Sequence, residues 1–65
     1  MSILEKKAHM VRIINRLNMG QKRALAVMAK KDVRPEAETL LAVVLAVLKE
    51  QMDAQSFNLF IEELA

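Results

Sequence analysis

The sequence predicts an all-α fold: one domain over 1–65, built as a small bundle of three to four helices at about 3–17, 20–31, 35–51 and 54–64. Three observations carry that expectation. Apolar residues make up 54% of the chain, aromatics only 3%, and there is one Gly and one Pro. A β-rich domain needs turn residues and β-branched or aromatic pairs at short intervals, so this composition favours helix. Apolar side chains also recur at helical spacing along most of the chain. Finally, a 65-residue chain buries only about 60% of the surface that its unfolded form exposes. Such a domain usually needs a disulfide, a metal or a partner subunit. With no Cys and a single His, a homodimer is the expected solution.

The first helix opens at Ser2, a good N-cap with Glu5 at the capping-box spacing. One side of it collects Ile3, Leu4, Met10, Val11, Ile13, Ile14 and Leu17; the other collects Glu5, His9, Arg12 and Arg16. This is an amphipathic helix with a broad apolar face. Lys7 interrupts that face near its start, where a long stem reaches water.

The segment Asn18-Met19-Gly20-Gln21 admits two readings. Gly20 suits the C′ position that ends a helix, and Asn18 then caps a second helix with Gln21 at N3. Alternatively one helix runs through, since an interior Gly costs only about 1 kcal/mol. Ile3, Met10, Leu17 and Ala24 keep a seven-residue phase across Gly20, as do Arg16, Arg23 and Lys30. The double Asn/Gly signal tips the expectation towards a break.

Lys30 and Lys31 suit a helix C-terminus. Arg34 precedes proline and is expected to be extended. Pro35 fits N1 of the next helix, with Glu36 and Glu38 in its first turn. From Pro35 to Gln51 the chain is apolar nearly all round. Leu40, Leu41, Val44, Val47, Leu48 and Met52 share one face with Ala37, and the back carries Thr39, Ala42, Val43 and Ala46. A helix of this kind is expected to be central and covered on most sides. Three short neighbours scarcely suffice, so a self-association surface is expected at Ala42, Ala46 and Val43. Asp53 caps the last helix, and Met52 and Phe57 are placed for a hydrophobic staple. Phe57, Phe60, Ile61 and Leu64 align on one face, while Leu59 points away and extends the candidate self-association surface.

The longest apolar run, Leu40 to Leu48, is nine residues, well short of the roughly 20 that a membrane span needs. No signal-peptide pattern follows Lys6 and Lys7, and a cytoplasmic location is expected. The chain starts with Met and stops soon after its last apolar face, as expected of a complete small product. An enzyme is not expected, and neither is a cofactor. Cys and Tyr are absent, Ser2 and Ser56 fit helix starts, and a single Gly cannot build a phosphate-cradling loop. Glu5 and His9 are four residues apart, the spacing of an ordinary surface pair.

Charge is the most uneven property. Residues 1–34 hold nine Lys/Arg against two acids, giving +7; residues 35–65 hold one Lys against six acids, giving −5. The basic half offers a stripe of Arg12, Arg16, Arg23 and Lys30. Three roles suit it: a solvated or internally neutralised face, a contact for an acidic partner protein, or a phosphate contact on nucleic acid. Against the last, no aromatics interleave with the cations as in single-strand binders. A small interaction protein is therefore expected, acting as adaptor, regulator or assembly subunit, with a nucleic-acid accessory protein as the alternative.

Overall fold

The computed structural model describes residues 3–65, with side chains from Glu5 onward. It contains four helices: α1 Ile3–Asn15, α2 Met19–Lys31, α3 Pro35–Gln51 and α4 Ala54–Leu64. The expected all-α bundle is therefore present. The proposed Ser2 cap lies outside the described residues.

Local chemistry sets each boundary. α1 stops two residues before the expected position, because the chain tightens there: the Arg16 and Leu17 amides donate to Ile13 and Ile14 carbonyls three residues back. Asn18 then caps α2 through a complete capping box. Its Oδ1 accepts the Gln21 amide at 2.8 Å, and Gln21 Oε1 accepts the Asn18 amide at 2.9 Å. The break is real, but Gly20 does not cause it. No residue of the structure has a left-handed backbone at a glycine, and Gly20 lies in the first turn of α2. The stop signal is the Asn18 cap, and the seven-residue phase across Gly20 is coincidental.

Between α2 and α3 the link is only three residues long, and Asp32 organises it. Asp32 Oδ1 accepts the Arg34 amide at 2.9 Å, and its carboxylate takes the Arg34 guanidinium through Nε at 3.0 Å and Nη2 at 2.6 Å. These bonds hold the Asp32 carboxyl at a pKa of about 2 and raise that of Arg34. Arg34 is extended, as its place before Pro35 requires, and Pro35 opens α3. Asp53 caps α4 by accepting the Ser56 amide at 3.1 Å, and hydrogen bonds from Ser56 lower its carboxyl pKa.

The core forms around α3, against which the other three helices pack. Ile14, Ala26, Val44, Val47, Leu48 and Phe60 are buried there, with Met10, Val11, Leu25, Leu40, Leu41 and Phe57 packed around them. Two expectations fail at this level. Val43, assigned to the outward back of α3, is only 7% exposed and belongs to the core. Ile13, placed on the apolar face of α1, is 48% exposed. α1 packs chiefly on α3, and among its described residues Ile14 is the one buried there while Ile13 stays at the edge. Met28 is also 68% exposed, because Ala26 and Ala29 are residues that α2 turns inward.

Two outcomes follow. A Cβ at Gly20 meets nothing closer than Asn18 Oδ1 at 3.4 Å. Gly20→Ala is therefore expected to stabilise the fold by about 0.4–1 kcal/mol, by reducing unfolded-chain entropy; a C′ glycine would give a loss instead, and urea denaturation distinguishes the two. The Asp32 carboxyl falls from 3.8 to about 2 on folding, so its contribution is present above its unfolded value and is lost on acidification. The gap in melting temperature between wild type and Asp32→Ala is expected to be constant above about pH 5 and to shrink from about pH 4 to pH 2.

Candidate interaction surfaces

One end of the bundle is tied by a polar clasp. Lys22 in the first turns of α2 donates to Gln51 Oε1. Gln51, the last residue of α3, donates from Nε2 to Asn15 Oδ1 at the end of α1, at 3.1 Å. Three helix ends therefore meet. α1 and α3 run parallel there, with α2 antiparallel to both. Lys22 is only 5% exposed, yet no carboxylate pairs with it among the described residues. Its ammonium depends on the Gln51 amide oxygen, so the clasp sets the register of α2 on α3. In the sequence Lys22 is counted only as one of the nine cations of residues 1–34. The missed signal was its spacing: four and seven residues before Ala26 and Ala29, it takes the same inward face of α2.

The parallel pair α1 and α3 leaves an open groove of about 490 Å³ along the flank of α3. Lys7 and Val11 of α1 form one wall; Glu38, Thr39, Ala42 and Ala46 of α3 form the other, with Val43 at the floor. Ala42 and Ala46 are exposed. Small side chains here allow a further helix to approach the α3 backbone closely. Lys7 and Glu38 are both exposed, and no ion pair joins them.

A second groove, of about 400 Å³, separates α2 from α4. Arg23, Ala24 and Val27 line one side, and Ser56, Leu59 and Glu63 line the other. Leu59 is 54% exposed. The residues expected to serve self-association thus divide: Ala42 and Ala46 border the first groove, Leu59 borders the second, and Val43 is buried. Leu59 instead shares its groove with Arg23, one of the basic stripe.

All four stripe residues are exposed, but the turn at Leu17-Asn18 splits them. Arg12 rides on α1 and Arg16 in the turn just past its end, while Arg23 and Lys30 ride on α2, so no single straight stripe exists. Lys30 borders a small hollow with Leu41, Leu45, Ile61 and Leu64. The acids of α3 and α4 form no ion pair with cations of α1 or α2 among the described residues; the pair seen there is Asp32 with Arg34. Among the described residues, the two halves of opposite charge therefore do not neutralise each other through direct pairs. Among the described residues no group of three His, Cys, Asp or Glu is placed to hold a metal ion, and no helix is long and apolar enough to cross a membrane.

Compared with known proteins, the chain matches no family, no curated protein and no solved structure. Its functional reading rests on its own surfaces.

The clasp gives a direct test. Gln51→Ala is expected to cost about 1–3 kcal/mol, because it strands the buried Lys22 ammonium. Lys22→Met should remove most of that penalty, since an apolar side chain needs no acceptor there. Urea denaturation of both single variants and the double variant measures the coupling; an additive result would show that Lys22 does not rely on Gln51.

Proposed function

We propose that this protein is a small non-enzymatic interaction module that self-associates through the α1–α3 groove and presents its cations to an acidic partner protein. It would serve as an adaptor, a regulator of a larger protein or an assembly subunit, in a cytoplasmic setting.

The observation that carries the reading is the uncovered flank of α3. This helix is the hub of the core, yet Thr39, Ala42 and Ala46 face solvent beside an apolar groove. A second copy would cover it, and burial of apolar area on association follows the same physics as burial on folding. The partner-binding half of the proposal draws on the free cations. Arg23 stands beside exposed Leu59 and half-exposed Val27. That combination suits a partner helix with an apolar stripe and acidic edges, with charge steering the encounter. Arg12, Arg16 and Lys30 would extend the positive field around it.

The alternative, a nucleic-acid accessory protein, draws on the same exposed cations. Phosphate contacts are strongest at low salt, so it is tested there. No binding to DNA or RNA at low ionic strength retires it; binding that disappears in Arg16→Glu plus Arg23→Glu would replace the acidic-protein reading.

The self-association half predicts that light scattering at micromolar concentration gives a dimer. Ala42→Glu and Ala46→Glu should each convert it to a monomer and lower the melting temperature, by placing a charge in the interface. Leu59→Glu should leave the dimer intact, because Leu59 lies in the other groove. A monomeric wild type would overturn this half of the proposal.

A further inference from the structure

α4 is fastened differently from the other three helices. The Asn15–Gln51–Lys22 clasp joins α1, α2 and α3 by side-chain bonds. Among the described residues no side-chain bond or ion pair joins α4 to any of them; the bond from the Ser56 amide to Asp53 stays between its own cap and first turn. Its apolar anchorage is also thin. Phe60 is the one buried residue of α4, against five on α3, while Phe57, Ile61 and Leu64 are half-buried. The groove shared with α2 runs along one side of α4. A hollow of about 170 Å³, bordered by Lys30, Leu41 and Leu45, lies at its last turn.

A helix with few buried contacts and no directional bond to its neighbours belongs to the low end of local stability. α4 has 11 residues, fewer than the roughly 12–15 that an isolated helix needs in water. Leaving its seat and unwinding are therefore one step. The hinge is Met52-Asp53, between the end of α3 and the start of α4. Opening there spares the clasp, because Gln51 still belongs to α3. It uncovers the α3 face that receives Phe60, with Leu41 and Leu45 at its border. Two cations of α2 flank that face, Arg23 in the groove and Lys30 in the hollow. Neither is ion-paired among the described residues. The helix that fits this seat is visible in the structure: α4 has Phe57, Phe60, Ile61 and Leu64 on its inner face, exposed Glu62 and Glu63, and no cation.

Resting on the acidic-partner reading above, we infer that α4 is a strap that opens independently of α1–α3, and that the seat it covers accepts an acidic amphipathic helix of the partner in its place. The α2–α4 groove, with Arg23 and Val27, is the edge at which that helix enters. α4 competes with the partner in cis, so the partner's apparent affinity is scaled by the fraction of chains whose strap is open.

Two measurements on the full chain test this, with helical content of each variant checked by circular dichroism. Native-state hydrogen exchange of the wild type should show the amides of residues 57–64 exchanging at least about tenfold faster than the slowest amides of α2 and α3. Gln51→Ala should speed those slow amides at least about fivefold and leave α4 unchanged, because the clasp is intact in the strap-open state. Four helices that exchange together, or that Gln51→Ala speeds equally, would overturn the strap. The second measurement is fluorescence anisotropy with a labelled peptide of residues 53–64 as the acidic helix. It should bind, and Asp53→Ala in the protein should tighten binding about fivefold by removing the α4 cap. No binding, or binding that Asp53→Ala does not tighten, would overturn competition for the seat. A peptide carrying Glu62→Lys and Glu63→Lys should bind about threefold to tenfold more weakly at low salt. Binding that ignores this reversal would overturn the acidic-partner reading while the strap stands on the exchange data.

Discussion

The structure depends on covering one helix. α3 is apolar on nearly all sides, and each of the other three helices packs on it. Ile14 from α1, Ala26 from α2 and Phe60 from α4 all enter the cluster formed by Val43, Val44, Val47 and Leu48. The remaining features serve that arrangement. Compact links at Leu17-Asn18, Asp32–Arg34 and Met52-Asp53 fold the short helices back against the long one. Each link uses a side-chain acceptor close to a helix start: Asn18 for α2, Asp32 for the residue before α3, and Asp53 for α4. Such caps satisfy backbone donors that would otherwise be orphaned.

A purely apolar seam between helices tolerates sliding, because hydrophobic burial has no preferred direction. The Asn15–Gln51–Lys22 clasp supplies what the seam lacks. It joins three helix ends by directional bonds, and among the described residues the acceptor of its central charge is Gln51 Oε1. A register shift of one turn would leave that ammonium buried without a partner, which is costlier than any small loss of packing. The clasp therefore contributes specificity more than stability.

Much of this architecture is legible in the amino-acid order, and the exceptions have physical reasons. The α3 and α4 spans match the expected 35–51 and 54–64, because Pro35, Asp53 and the acids of the first turn act locally, within a few residues of the boundary they set. The break after α1 was also legible, although its cause was Asn18 and not Gly20. Burial was harder to read. Val43 and Ala42 are adjacent on α3, and only the position of α1 decides that one is core and the other groove wall. Lys22 illustrates the same point: its type suggests solvent, while its spacing with Ala26 and Ala29 turns it inward. The candidate surfaces were partly legible. Ala42, Ala46, Leu59, Arg12, Arg16, Arg23 and Lys30 all reach solvent. Their grouping was not, because it depends on which helices are neighbours. Leu59 and Arg23 lie 36 positions apart yet border one groove.

The proposed self-association answers the uncovered flank of α3. Three short helices leave part of the central one exposed, and a second copy would remove that exposure. The most direct measurement is the melting temperature of the wild-type protein as a function of its own concentration. Linked folding and dimerisation raise the melting temperature with concentration. If the chain self-associates as proposed, its melting temperature rises steadily from about 1 μM to 100 μM; a melting temperature that does not move over that range would contradict self-association.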